Sequence, residues 1–331
     1  MTMMTSFSAH IMRLLRWSGL ALALLMVSAA LAQDTPVVTL EAGDFRDLAI
    51  IEDGTRLLVA DAAADQVRIY DISQMSAPTL ITSVSLDGTP LALAGAENFA
   101  IAAVRTGRGE DALEVITPSP FNRRFPYMTL NYIDVPRGVK EIILSSDGQR
   151  GIAIGDNAYT LLEIIAPEEI SAVTVETGRS ISAAAITAAR AFVAFEDESA
   201  LEVLLIRSGA SASPEARIAL ETPALALAVS ADGALIGALT SGAMVVIDSA
   251  ALTVSAQTAA SASALRFLDA ASADLLTLDQ ARTRVQLYDL QGSALRALNT
   301  LELSRAARQL TTYGGFIFVT DGGSVDIFNV R

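Results

Sequence analysis

The chain of 331 residues has no cysteine, one histidine (His10), one lysine (Lys140) and one tryptophan (Trp17). Each shortage removes a class of chemistry. Without cysteine there is no disulfide, no thiol nucleophile, no CxxCH attachment of haem and no N-terminal cysteine to carry a lipid. His10 lies in the extreme N-terminal segment, so the body of the chain cannot build a Ser-His-Asp or Cys-His arrangement. Zinc and copper sites of the usual His and Cys kind are excluded for the same reason, and neither a metal nor a cofactor is expected. Positive charge is also scarce, with 23 basic residues against 37 acidic ones and a net charge of -14. That balance argues against nucleic acid as a partner, because phosphate binding needs clustered cations. Beyond residue 32 no run approaches the roughly eighteen apolar residues that suggest a membrane span.

What is present begins with a leader. Arg13 and Arg16 form a positive n-region, 17–31 is apolar, and Ala30-Leu31-Ala32 is a small-x-small cleavage site before Gln33. The pattern predicts a signal peptide over 1–32, with Met4 or Met12 as alternative starts, and one mature domain over 33–331. It predicts export to the periplasm or the exterior, with no stable membrane span after cleavage. Hydrophobic residues make up 52% of the chain, and with no disulfide to help, burial alone must stabilise the mature domain.

The stretch 51–73, IEDGTRLLVADAAADQVRIYDIS, sets the pattern for the rest. An Asp53-Gly54 turn leads into an apolar run at 56–60, and a polar loop separates this from a second run at 67–72. This reads as strand, turn, strand, loop, strand. Weaker copies recur about every forty residues, the mark of repeats that cannot bury their faces alone. The expected fold is all-β: a seven-bladed β-propeller with four antiparallel strands per blade. Inner strands are expected at 48–51, 90–94, 139–144, 182–187, 225–230, 265–268 and 309–312. Outer strands are expected at 80–86, 127–133, 172–176, 216–220, 253–258 and 295–301. The seventh blade then lacks an outer strand. The spare run Val37-Val38-Thr39-Leu40 is predicted to pair with 325–329 and close the ring, removing an exposed sheet edge. Inner runs such as 224–229 show no polar alternation, as a sheet covered on both faces requires. Alanine-rich segments have high helix propensity, but they lack a sustained 3.6-residue period and recur at strand length.

The stretch 51–73 resembles the YVTN-type repeat of bacterial surface and periplasmic propellers. In that repeat a DG turn precedes a VA-containing strand and then an xVxVxD strand. Val59-Ala60 and Val67, Ile69 and Asp71 occupy those positions. SADGALIGAL and MVVID in the fifth blade and VQLYDL in the sixth are partly similar. The resemblance implies a fold more than an activity, since one fold hosts many functions. Lactonase-type enzymes share the architecture, with sites that combine acidic, basic and histidine groups. A mature chain without histidine departs from them at that residue.

Two sets of residues are candidates for binding. Connections from each outer strand to the next inner strand gather on one face around the axis. Here they carry Arg46, Arg137, Lys140, Arg179, Arg305 and Arg308. These would form a positive mouth for a small anionic ligand, through charge-assisted bonds, or else pair with acids such as Asp61, Asp65, Asp156, Asp197 and Asp321 on the same face. The second set is the long loop of the second blade, where Phe121, Arg123, Arg124, Phe125 and Tyr127 mix aromatics with arginine as protein contacts do. Oxygen ligands that suit calcium occur at Glu196-Asp197-Glu198 and at Asp61 with Asp65, but neither has the spacing of a calcium loop. The lack of histidine and of a cofactor motif favours a non-catalytic scaffold for a protein, peptide or glycan. The alternative is a lactonase-like hydrolase working with carboxylates and arginines at the axial mouth.

Overall fold

Ser230-Ala231-Asp232-Gly233 shows how the sequence makes its hairpins. The Ser230 hydroxyl donates to Asp232 Oδ1 at 2.6 Å, the same oxygen accepts the Ala234 N–H at 3.0 Å, and Gly233 takes a φ of 71°. Ser145, Asp147 and Gly148 repeat the arrangement in the third blade. Gly54 has a φ of 78° and lies under the Tyr313 ring, so a side chain there would be strained and would also collide with that ring.

The structure, a computed structural model, describes residues 35–41, 43–119, 124–268 and 274–330. The leader read at 1–32, Phe121 and Arg123 lie outside them. Strand β1 (Val38–Glu41) comes first. Blade 1 then holds β2 (Phe45–Ile51), β3 (Arg56–Asp61), β4 (Gln66–Asp71) and β5 (Thr79–Ser85). Blade 2 holds β6 (Gly88–Gly95), β7 (Ala100–Thr106), β8 (Asp111–Pro118) and β9 (Tyr127–Val135). Blade 3 holds β10 (Glu141–Leu144), β11 (Arg150–Ile154), β12 (Ala158–Ala166) and β13 (Glu169–Glu176). Blade 4 holds β14 (Ile181–Ile186), β15 (Arg190–Phe195), β16 (Ala200–Ile206) and β17 (Ala212–Ala219). Blade 5 holds β18 (Ala224–Val229), β19 (Leu235–Thr240), β20 (Ala243–Asp248) and β21 (Thr253–Ala259). Blade 6 holds β22 (Ala262–Phe267), β23 (Leu275–Asp279), β24 (Arg284–Gln291) and β25 (Ala294–Glu302). Blade 7 holds β26 (Gln309–Tyr313), β27 (Phe316–Thr320) and β28 (Ser324–Asn329), with β1 as its outer strand.

This is the expected ring of seven four-stranded antiparallel sheets. Closure also follows the prediction: β1 pairs antiparallel with β28, Val38 opposite Ile327 and Leu40 opposite Val325, and the Thr39 hydroxyl donates to Asp326. Several strand starts differ from expectation, and four, those of β2, β13, β17 and β22, come three or four residues early beside a bulge. β17 begins at Ala212 and includes Pro214, which a rim strand tolerates because its free side needs no N–H donor; the register shifts there between Val203 and Leu204. β22 begins at Ala262, where the Ser263 hydroxyl donates to the Asp279 carbonyl beside a shift between Ala262 and Ala264. Small residues gave that segment little hydrophobic signal.

The core is divided among the joints between blades. Alternate residues of one strand face opposite neighbours: Leu58 and Ala60 pack towards blade 2, while Leu57 and Val59 pack towards blade 7. Each of the seven joints has its own cluster of buried side chains. That is why the inner and middle strands are apolar at successive positions instead of every second one.

Candidate functional site

Strands alternate in direction, so the ring has two faces. One carries the connections between blades and the loops joining second to third strands. The other carries the remaining hairpin turns. Inner strands run from the connection face to the hairpin face.

The cations expected at a mouth are on the connection face, beside carboxylates. Arg46 Nη2 donates to Asp44 at 2.7 Å, and Arg308 Nη1 reaches the other oxygen of Asp44 at 3.0 Å. Lys140 is 3.0 Å from Asp156, and Arg305 donates to Asp321 at 2.6 Å. Arg179 donates to Asp197 at 2.7 Å and Glu198 at 2.6 Å, with its guanidinium 4.0 Å from the centroid of Phe195. Arg137 lies beside Gly109. An anion arriving on this face therefore competes with seated carboxylates for five of the six cations. Arg46 also lines a cavity of about 580 Å³ between blades 1 and 2, together with Asp65, Thr89 and Arg105. Of the acids suited to calcium, Asp61 is buried and accepts from Arg68 and from the N–H groups of Asp44 and Ala63, and Asp65 accepts from Thr89.

The blade-2 loop is closed at its base by a bond from the Ser119 N–H to the Pro126 carbonyl. Phe125 is 59% exposed, and the Arg124 guanidinium lies 5.8 Å from its ring centroid. Tyr127 corrects the expectation of an exposed contact residue. It is the first residue of β9, is only 7% exposed, and its hydroxyl donates to Glu52 of blade 1, which also contacts Arg56. Leu80 and Ile81 of β5 and Met128 of β9 are exposed at the same end of neighbouring outer strands.

A third arrangement was not anticipated from the sequence. The inner strands enclose an axial channel of about 670 Å³ that reaches the hairpin face, where Asp53, Gly54, Glu97 and Gly314 form its rim. Asp47 of β2, Glu141 of β10 and Arg266 of β22 project into it between apolar walls that include Ile51, Leu93, Ile143, Phe267 and Leu310. Arg266 Nη1 donates to the Leu265 carbonyl at 2.9 Å, and Nη2 contacts Glu141 at 3.5 Å. Asp47 accepts the Leu48 N–H at 2.9 Å and, across the blade joint, the Leu93 N–H at 2.8 Å. Inner-strand edges have no further strand to pair with, so such acceptors satisfy otherwise orphaned backbone donors. The available signal was a charge inside an otherwise apolar inner strand: FRDLAII, EIIL and ASALRF each have one in the channel.

Burial pushes the Asp47 carboxyl up to about 7, with Glu141 adding to the rise and the two N–H bonds and Arg266 opposing it. Burial raises Glu141 also, against the pull of Arg266. The Asp47 carboxyl can give or take a proton near neutrality. The folded chain thus keeps a proton on Asp47 at pH values where the unfolded chain has released it, so stability falls as pH rises from about 4 to about 7. Asn cannot titrate and removes this part of the slope. Solvent access from the hairpin face moderates the effect to about 1–2 kcal/mol, or roughly 3 °C for a domain of this size. Melting temperatures of wild type and Asp47→Asn across that pH range should converge or cross accordingly, and parallel curves would contradict the assignment.

These features define the chain as a seven-bladed β-propeller. No protein-family model matches it, and no curated protein matches it in sequence. Solved structures do match. The β-propeller domain of Myceliophteria thermophila Cps50 (Swd1) has a TM-score of 0.70 at 11% identity, covering 90% of this chain and 99% of that one. A chain of the mitotic checkpoint complex has a TM-score of 0.69 at 9% identity, covering 92% and 94%. A functionally unknown protein from Desulfotomaculum acetoxidans has a TM-score of 0.59 at 13% identity, covering 78% and 86%. At these identities the likeness is one of fold.

Proposed function

We propose that this chain is an exported, non-catalytic binding scaffold that recognises a protein partner through the rim of blades 1 and 2. The carrying observation is the apolar group of Leu80, Ile81, Phe125 and Met128, exposed at one end of adjacent outer strands with Arg124 beside it. Single exposed apolar residues need no explanation, but four at one end of neighbouring outer strands, with arginine among them, have the composition of a contact surface. The presence of a similar fold in the mitotic checkpoint complex supports a protein over a peptide or glycan. The leader at 1–32 and the YVTN-like repeat support export.

Replacing Phe121, Arg123, Arg124 and Phe125 by Ser tests this reading. The variant should lose the partner captured by the immobilised mature protein while its melting temperature stays within about 2 °C of wild type. A larger fall in stability would mean that the aromatics merely cover the blade edge.

A lactonase-like hydrolase is the second reading, and the channel carboxylates with Arg266 are the observation in its favour. Turnover of a lactone or ester that disappears in Asp47→Asn would support it. Inactivity of the wild-type protein against a broad panel of both would remove it.

A further inference from the structure

The axial channel has the volume of a small-molecule site and the mixed lining of one, apolar walls with a few converging polar groups. Its charges do not balance. Asp47 and Glu141 lie within, and Asp53 and Glu97 stand exposed at the rim, against Arg266 as the one cation among the lining residues. Arg266 is turned towards Glu141 and its own strand, and among the described residues Asp47 forms no ion pair. Among the described residues Glu141 is held by one long contact, 3.5 Å to Arg266, and its side chain is a third exposed while lining the channel. A carboxylate without a close ion partner between apolar walls favours a cationic ligand.

We propose that the axial channel binds an organic monocation, a primary amine or guanidinium with a short apolar body, seated on the Asp47 and Glu141 carboxylates. The charged end would give Asp47 an ion partner and Glu141 a closer one, and the body would cover Ile51, Leu93, Ile143, Phe267 and Leu310. A divalent metal fits poorly, because it demands several oxygen ligands and the walls are mostly apolar. An anion would have to pass the acidic rim to reach one arginine already engaged. The groups facing Asp47 are Arg266, Glu141 and the N–H groups of Leu48 and Leu93, with the neutral Gln309 also lining the channel. Because Asp47 is partly protonated near neutrality, seating a cation there displaces its proton to the buffer.

The channel is separate from the outer rim of blades 1 and 2, so its test can fail without touching the scaffold reading. Calorimetric titrations of the mature protein should use phenethylamine and agmatine, with phenylacetate, benzyl alcohol and phenylalanine as matched anion, neutral and zwitterion. The expected result is binding of at least one amine but not of phenylacetate or benzyl alcohol. In buffers of different ionisation enthalpy, proton release should approach one per amine near about pH 6 and fade by about pH 8.5. Glu141→Gln and Asp47→Asn should each weaken amine binding by about tenfold or more, and Glu141→Gln, which keeps the Asp47 bonds to backbone, serves if Asp47→Asn folds poorly. Arg266→Gln should raise amine affinity, because it removes a like charge and frees Glu141. The proposal is overturned if neither amine binds at about 10 mM, if phenylacetate binds as tightly as phenethylamine, or if Arg266→Gln abolishes amine binding. Tighter binding of phenylalanine than of phenethylamine would also overturn it, in favour of a zwitterion bridging Arg266 and the acids.

Discussion

Removal of residues 33–42 should lower the melting temperature by about 10 °C and make the protein aggregate, because it opens the ring. β1 supplies the outer strand of blade 7, and Val38 and Leu40 pack against the cluster that joins blade 7 to blade 1 through Phe45, Phe318 and Ile327. Losing two partly buried aliphatic side chains and the β1–β28 ladder costs about 3–6 kcal/mol. The freed edge of β28 then offers unpaired N–H and C=O groups to other molecules. Calorimetry with light scattering separates the two consequences. Val38→Ser with Leu40→Ser keeps the backbone ladder and should lose roughly half as much stability with less aggregation. An unchanged melting curve for the truncated chain would mean that β1 is decorative.

Asp111→Ala should cost about 3–5 kcal/mol, the largest expected effect of a single substitution here. Asp111 is 1% exposed and begins the third strand of blade 2. Its two oxygens accept Arg105 Nε at 2.8 Å and Nη2 at 3.0 Å, and Oδ2 also accepts the N–H groups of Gly138 at 2.7 Å and Val139 at 3.0 Å. The last two belong to the connection entering blade 3, so one carboxylate ties two blades together. Alanine leaves those donors orphaned. Burial alone would raise this carboxyl, but Arg105 and the Val139 and Gly138 N–H groups together hold it below the usual carboxylate range. A depressed acid contributes fully above its unfolded value and loses that contribution as pH falls through the folded one. The gap between wild type and variant should therefore be widest above about pH 5 and shrink below about pH 4. Chemical denaturation at several pH values measures it. A gap that stays constant into strong acid would show that packing, and not the charge, is what matters.

The fold was legible because propeller strands advertise themselves twice. Runs such as 57–60 are apolar at successive positions, which only a doubly covered sheet allows, and the DG turns at 53–54, 147–148 and 232–233 mark the hairpins. The unpaired run at 37–40 predicted closure by elimination. The site was less legible because its groups come from blades 1, 3 and 6, and no spacing in one dimension relates Asp47 to Glu141 or Arg266. Loop position placed Arg46, Lys140, Arg179, Arg305 and Arg308 on one face with Asp156, Asp197 and Asp321 among the acids there, but which acid each cation meets, and Asp44 between Arg46 and Arg308, emerged only from the geometry. Tyr127 was misread because loop composition says nothing of which face the first residue of a strand presents. Its neighbour Met128 points outward and Tyr127 inward, as strand alternation dictates.

Closure by β1 also fixes an order of events in the life of the molecule. Thr39 and Asp326 meet across 287 residues of sequence. At about 5–20 residues per second, the ribosome takes roughly 15 to 60 s to make that span. Throughout this time the first strand has no native partner, while six complete blades are emerging behind it. The joint whose strands are completed last in synthesis is therefore also the one of longest range, and closing it carries an entropic cost that local hairpins do not face. A newly made chain is an open arc with two sticky ends, which gives any escorting factor a defined interval in which to shield the N-terminal one.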